Sequence, residues 1–497
     1  AAGPSNYVPE VSVFVDPLLG YVPFLVTSTA SATDFDGTVS LYEWDFDGDG
    51  TYDYSSTTDG NTTYTYSQSG AYSAICRITD DLGLSNSTSV DINAVDPGNP
   101  MEVSGSIPFN TTWTADLSPF SVVGDVQIPE GVTLTIEPGV EIQYGGAYEI
   151  LVKGSIVANG TINDTIVFTS STAGVSSGAR QLKFEGTDLS TSQLSYLKME
   201  YASKAIQIGE ETEHNQGGKN SDTLTVAHSY INTADILTDG VQTNAVLLFS
   251  DASINSSTIK GNYPQSEEII LNNTEITNCT IYSDAYNKGI TLESSNVMTS
   301  QFTMGCCGAN FHIVESTIED SEFSNTGGSN DIVIEESQLI NTPLNLYADS
   351  YQAVTINNST ISYAGSYGIK CYNLTMDGTS VTGSGTGTAI ELSGNSNTIT
   401  TSTISGNDVG IRLNSGLLTA QNNQIYNNTT YNIDNLSAEN ITATDNWWGT
   451  IDVAEIREKI GDYDDDINYG SVVFSPLLMS AAGPSNYVPE VSVFVDP

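Results

Sequence analysis

Residues 267–304 read EEIILNNTEITNCTIYSDAYNKGITLESSNVMTSQFTM. Apolar side chains recur in this stretch at fixed intervals: Ile276 with Ile281, then Val297 with Phe302, five residues apart within each pair and 21 between pairs. The interval extends both ways. Ile254, Ile276, Val297, Ile318, Leu339 and Ile361 follow one another by 22, 21, 21, 21 and 22 residues. Ile259, Ile281, Phe302, Phe323 and Leu344 each lie five residues further on. Ile399 with Ile404, and Ala420 with Ile425, read as continuing this register after a shorter unit between 361 and 399. A helix has no use for such a pattern, because β-branched residues and Asn-Ser-Thr runs disfavour it. A coil of short parallel strands does. Each turn stacks its inward side chains on turns about 4.8 Å above and below, and no single turn can bury its apolar face alone.

The flanks carry a resemblance. NTTWT at 110–114, VQIPEGVTLTIEPGVEI at 126–142, GSIVANGT at 154–161 and DTIVFTS at 164–170 resemble the opening of secreted right-handed parallel β-helix proteins. DNWWGTIDVAEIREKI at 445–460 and YGSVVFSPLL at 469–478 resemble their closing cap. The resemblance covers most of 105–477 and is weaker around 205–245. In the closing segment Asp452 and Glu455 form a capping pattern for one short helix ending near Ile460, with Gly461 at its C-terminus. Trp447 and Trp448 are expected to cover the last open turn, whose bare edge would otherwise recruit strands.

The resemblance also raises catalysis, since the β-helix family includes polysaccharide lyases and hydrolases. Hydrolysis needs paired carboxylates about 5–10 Å apart, and Glu315, Glu319, Asp320, Glu322, Glu335 and Glu336 would stack on neighbouring turns. Among 60 acids such proximity arises by chance. A lyase acting on acidic sugars needs basic residues, and the 13 present are scattered; His214, His228 and His312 form no motif. The expectation is no enzyme and no catalytic residues.

Ahead of the coil, residues 7–95 read as short strands separated by Gly, Asp and Asn: Val11, Val13 and Val15 alternate, and Ala74, Cys76 and Ile78 alternate again. DFDGTVSLYEWDFDGDG at 34–50, YTYSQSGAY at 64–72 and ITDDLGL at 78–84 resemble a PKD domain, an immunoglobulin-like β-sandwich of extracellular proteins. Tyr64 stands where that family often has His. Within the stretch, Asp45, Asp47, Asp49, Thr51 and Asp53 occupy alternate positions of a calcium-loop pattern, with Gly50 at the sharp turn. Ser56 replaces the bidentate Glu, so the loop is incomplete, and Asp34 and Asp36 are expected to close it from the preceding loop. The expected cofactor is a structural calcium ion; a metal-free Asp-Gly hairpin is the alternative.

Net charge is −47, which disfavours nucleic acid and anionic membranes as partners and suits salty, calcium-bearing surroundings. No 18-residue apolar run occurs. Five cysteines form no C-x-x-C pair, so zinc is not expected; Cys76 reads as core, and Cys279 with Cys306 or Cys307 is a disulfide candidate one turn apart. Asn-x-Ser/Thr sequons make Asn61, Asn110, Asn255, Asn278, Asn373 and Asn440 glycosylation candidates, although a chain rich in these residues generates sequons by accident.

Finally, residues 481–497 repeat residues 1–17 without a mismatch: both read AAGPSNYVPEVSVFVDP, 480 residues apart. A tandem array of a 480-residue unit accounts for this; a copied tag, or a strand supplied by a neighbouring subunit, are the alternatives. The organisation is therefore read as linker 1–6, sandwich 7–95, linker 96–104, capped β-helix 105–478, and 479–497 as linker plus first strand of the next unit. Val8, Val11, Val13 and Val15, with Val488, Val491, Val493 and Val495, are the expected joint. The whole is all-β with one short capping helix. It is expected to be a structural subunit of an extracellular or cell-surface filament whose partner is itself, with a polysaccharide-binding adhesin as the alternative.

Overall fold

The computed structural model describes residues 6–209, 223–238, 245–261, 268–283, 289–305, 310–325, 331–346 and 353–481. The chain divides into two compact units, Ala1–Glu102 with Asp116–Phe120, and Val103–Ala115 with Ser121–Pro497.

The first unit is a sandwich of eight strands: β1 (Glu10–Asp16), β2 (Leu19–Tyr21), β3 (Phe24–Thr33), β4 (Val39–Asp45), β5 (Tyr54–Ser56), β6 (Thr62–Tyr66), β7 (Gly70–Asp80) and β8 (Ser85–Val95). A three-stranded sheet β1-β3-β6 faces a five-stranded sheet β2-β8-β7-β4-β5. The period-2 alternation read in the sequence explains the core. Val15, Val26, Trp44, Ala74, Cys76 and Ile78 are buried together, with Val11 and Val13 packed against them. The polar tips of the buried aromatics are satisfied locally. Trp44 Nε1 donates to Gly60 O at 2.9 Å and the Tyr66 hydroxyl to Phe46 O at 2.9 Å. Burial pushes the Cys76 thiol up to about 12, as befits a plain core residue.

The second unit is a right-handed β-solenoid. A complete turn contains three strands, as in Glu268–Asn272, Glu275–Thr277 and Thr280–Ser283. Each pairs in parallel with its counterpart one turn on: Leu271 with Leu292, Ile276 with Val297, Ile281 with Phe302. One resulting sheet runs through 16 strands. The column Ile254, Ile276, Val297, Ile318, Leu339, Ile361 stands in unbroken register and is buried throughout.

Beyond Ile361 the column continues through Val381, Ile404 and Ile425. Val381 is the turn that the spacing skipped, and Ile399 belongs to a different column, paired with Met376 and Ala420 on the first strand of the turn. Five residues separate inward positions of both the first and second strands (Leu271, Ile276) and the second and third (Ile276, Ile281). An interval of five therefore cannot say which pair of strands it spans.

The corners between strands are built from two adjacent residues with different duties. The first adopts a left-handed backbone: Asn273, Ser294, Glu315, Glu336 and Asn358 at one corner, and Asn278, Thr299, Asp320 and Asn341 at the other, with φ between 46° and 55°. Asn and Asp tolerate this region best among side chains with a Cβ. The second residue turns inward and is small and polar. Its backbone N–H, left without a strand carbonyl, donates to the side-chain oxygen of its counterpart on the next turn: Thr274 to Ser295 at 3.0 Å, Ser295 to Ser316 at 3.0 Å, Ser316 to Ser337 at 3.1 Å, Ser337 to Ser359 at 3.1 Å. Each hydroxyl donates in turn to a carbonyl of its own turn, as Ser316 does to Val314 O at 2.8 Å. Cys279, Ser300 and Ser321 make the same ladder at the second corner. These ladders satisfy backbone groups that the bend would otherwise orphan in the core.

At the closing end, the helix spans Val453–Arg457, not the longer segment read from sequence. Asp452 caps it by accepting from Ala454 N at 2.9 Å, but the Asp452 amide donates to Thr450 Oγ1, so Glu455 does not complete a capping box. Ile460–Gly461 rejoin the parallel ladder against Ile433 and Asp434, which stops the helix early. Trp448 is buried edge-on to Phe474 at 6.2 Å, while Trp447 is half-buried.

Candidate functional site

The β4–β5 loop folds the sequence-predicted acids inward. Carboxylate oxygens of Asp45, Asp47 and Asp49 lie within 4.8 Å of one another, Asp45 buried and the other two exposed. Every one of them also accepts a backbone N–H: Asp45 from Gly48 and Gly50 at 2.8 and 2.9 Å, Asp47 from Asp49 at 3.1 Å, Asp49 from Thr51 at 2.7 Å. Asp53 accepts from Phe46 N at 2.7 Å. Burial, opposed by that bond and reinforced by Asp47, Asp45 and Asp49, holds its carboxyl above the usual range. The loop thus holds its own shape by hydrogen bonds while leaving further lone pairs free for a hard cation.

Asp34 and Asp36 do not close this loop. They precede β4 and the loop follows it, and seven extended residues separate its two ends by about 20 Å. The structure instead brings them to Asp80 and Asp81 at the β7–β8 turn, where Asp81 N donates to Thr38 O at 2.9 Å. Both carboxylate oxygens of Asp34 are shielded from water and have no hydrogen-bond partner among the described residues. That shielding, then the charges of Asp36, Asp80 and Asp81, raise its pKa. Gly37 permits the crowding: a Cβ there would sit 2.3 Å from Asp81 Oδ1 and 2.5 Å from Asp34 Oδ2. Asn6 Nδ2 donates to Asp80 Oδ2 at 2.8 Å, and Tyr7 N to Asp36 Oδ1 at 3.2 Å. Unpartnered hard oxygens facing like charges are the donor set that a calcium ion would satisfy. Sequence reading missed Asp80 and Asp81, which stand more than 40 residues from Asp36.

On the solenoid, one corner carries a surface groove of about 610 Å³ lined by Lys198, His228, Tyr230, Asp251, Asn273 and Glu275 among others. Tyr196 and His228 stack on each other at 4.7 Å, and His228 Nδ1 lies 3.7 Å from Asp251. The acids weighed for catalysis are distributed over two corners. Glu315, Glu335 and Glu336 line a depression of about 350 Å³ with Asn357, Asn358 and Asp377, whereas Glu319, Asp320 and Glu322 flank the other corner. His312 lies 3.5 Å from Glu335; His214 is outside the described residues.

Of the remaining candidates, Asn61, Asn110, Asn278 and Asn440 are exposed and Asn255 and Asn373 half-buried. The sequon Asn255-Ser256-Ser257 is also the corner pattern itself, Ser257 being the inward ladder residue. Cys279 is buried, its Sγ against Thr277 O at 3.3 Å; Cys306 and Cys307 lie outside the described residues. Of the joint valines Val15 is buried, Val11 and Val13 half-buried and Val8 exposed, while Val488, Val491, Val493 and Val495 lie outside the described residues.

Residues 24–95 match the PKD domain family, and residues 344–450 match the family described as right handed beta helix region. No curated protein matches the chain. One similar solved structure concerns carbohydrate-binding modules of the β-sandwich superfamily, at 31% identity over 22% of this chain and 40% of that one, TM-score 0.17. The chain thus spans well under half the length of that structure. Another is the PKD1 domain of the Vibrio cholerae metalloprotease PrtV, at 31% identity over 18% of this chain and 94% of that one, TM-score 0.14. A third is the Yersinia enterocolitica family 28 exopolygalacturonase, at 9% identity over 75% of this chain and 96% of that one, TM-score 0.18.

Proposed function

We propose that this chain, a PKD domain followed by a right-handed β-helix, is a structural subunit of an extracellular filament, stalk or surface sheath built from 480-residue units. The observation that carries this is the mismatch-free repetition of residues 1–17 at 481–497. Supporting it, the solenoid is held by turn-on-turn contacts that suit a stiff spacer, and PKD domains are typically extracellular. No helix among the described residues is long and apolar enough to cross a membrane. A saccharide-binding role would use the corner groove, but Tyr196 and His228 cover one face of each other there, which leaves less aromatic surface for a sugar ring. The mechanism is mechanical: the rod sets reach, and the sandwich is the joint. Intact mass and negative-stain microscopy of native material test it. Particles of several units in line are expected; a monomer of one unit's mass would remove the proposal.

Calcium is proposed to stiffen the sandwich through Asp34, Asp36, Asp80 and Asp81, and through the Asp45–Asp53 loop. At pH 7, calcium at about a hundredfold excess over its Kd is expected to add roughly 2.7 kcal/mol, read as a higher melting temperature of the sandwich than in EDTA. A carboxyl with a raised folded-state pKa holds its proton more tightly in the folded than in the unfolded chain. Protons therefore displace the cation at a higher pH than at an ordinary carboxylate, and the calcium gain shrinks as pH falls towards 4. Asp34→Asn should raise the calcium-free melting temperature at pH 7, by removing a shielded charge from among three others, and should reduce the calcium response. A melting temperature indifferent to both calcium and EDTA would sink the idea.

A further inference from the structure

We infer that residues 481–497 are a donor strand: Glu490–Asp496 fits the β1 position in the sandwich of a second copy of this chain. The inference rests on the tandem reading and names the contact that joins its units. In the sandwich described, β1 is an edge strand, paired antiparallel with β3 from Glu10 against Thr33 to Asp16 against Thr27. Its inner face is apolar, with Val15 buried in the core and Val11 and Val13 packed against it. The rest of the segment is recognised as well. Asn6 bonds Asp80, Tyr7 N bonds Asp36, and Pro9 O accepts from Asn86 Nδ2 at 2.9 Å.

Each of these contacts is made by a residue within 1–17, and each has an identical residue 480 positions later: Asn486, Tyr487, Pro489, Val491, Val493 and Val495. The copied segment therefore carries the whole recognition set, backbone ladder and core valines included. Its receptor is every sandwich of the same sequence. Strand addition of this kind draws its affinity from the main-chain ladder and its specificity from alternate side chains. Two such segments compete for one position. The sandwich's own β1 is favoured by its tether, which acts as a local concentration, until something weakens it.

That competition supplies the test in the full chain. Val15→Asp places a carboxylate in the core and disables the resident strand, while the intact copy still carries Val495. Purified Val15→Asp is expected to sediment as head-to-tail multimers at about 100 µM, below the millimolar local concentration of a short tether. Val495→Asp and the double variant Val15→Asp/Val495→Asp are expected to remain monomeric. Should the double variant leave its sandwich open, the synthetic peptide AAGPSNYVPEVSVFVDP should restore it, with a rise in sandwich melting temperature of at least about 4 °C. The same peptide carrying Asp in place of its last Val should not. A monomeric Val15→Asp chain, or a double variant indifferent to the peptide, overturns the strand assignment. If native material is nevertheless a multi-unit array, the tandem reading survives and the joint lies elsewhere. If native material is a single unit, the tandem reading itself falls.

Discussion

Phe323→Ala is expected to destabilise the solenoid by about 3–5 kcal/mol. Phe323 is fully buried and stacks on Phe302 of the preceding turn, ring centroids 4.2 Å apart and planes 5° from parallel. Phe311 meets both rings edge-on, at 5.5 and 6.4 Å. Leu344 follows Phe323 in the same column. A helical core can shift to fill part of such a void. Here parallel ladders fix the turns at strand spacing on all three sides, so the walls cannot close and the cost should fall at the upper end. Phe323→Leu keeps most of the volume and should cost less than about 1.5 kcal/mol. Urea unfolding followed by far-UV circular dichroism measures both. Since each turn touches only its neighbours, the alanine variant should also broaden the transition as the two flanks begin to melt separately. A loss below about 1.5 kcal/mol with an unchanged slope would show that the column does not hold the coil together.

Ser316→Ala is expected to cost about 1–3 kcal/mol although it removes a single oxygen from a small side chain. The Ser316 hydroxyl accepts from Ser295 N and donates to Val314 O, and the Ser316 amide passes the pattern on to Ser337. Alanine orphans the Ser295 N–H inside the core, where water cannot replace the acceptor. Ser316→Thr retains the acceptor and should lie within about 0.5 kcal/mol of the parent, because Thr274, Thr342 and Thr379 already do this work on other turns. Hydrogen exchange at the Ser295 amide reads the same bond directly. Equal stability of the alanine and threonine variants would mean that the ladder is incidental.

The corner ladders also explain part of the composition. Asn-x-Ser/Thr recurs because a strand end, a left-handed corner residue and an inward hydroxyl follow one another, as in Asn272-Asn273-Thr274 and Asn357-Asn358-Ser359. In the sequence these looked like accidental sequons or glycosylation sites. No single-sequence signal separates a hydroxyl facing solvent from one facing the core, so the ladder was legible as an excess of Ser, Thr and Asn without its cause.

What the sequence determined by itself is the stacked coil and the sandwich ahead of it. In a coil every turn repeats the same contacts with its neighbours, so the requirement to bury Ile276 on Val297 and Ile281 on Phe302 is written into the chain as a linear period. Alternation did the same for β7 of the sandwich. The tertiary structure decided the features that depend on distant residues or on direction. It moved Ile399 to another column, because one interval serves two pairs of strands. It ended the capping helix at Arg457, because Ile460 is drawn into the ladder by Ile433. It also parted Asp34 and Asp36 from the Asp45 loop and delivered them to Asp80 and Asp81, because β4 carries the chain across the sandwich while the β7–β8 turn returns beside its start. Periodic neighbours leave a trace in sequence; a cluster assembled from two loops leaves none until the sheet that joins them is folded.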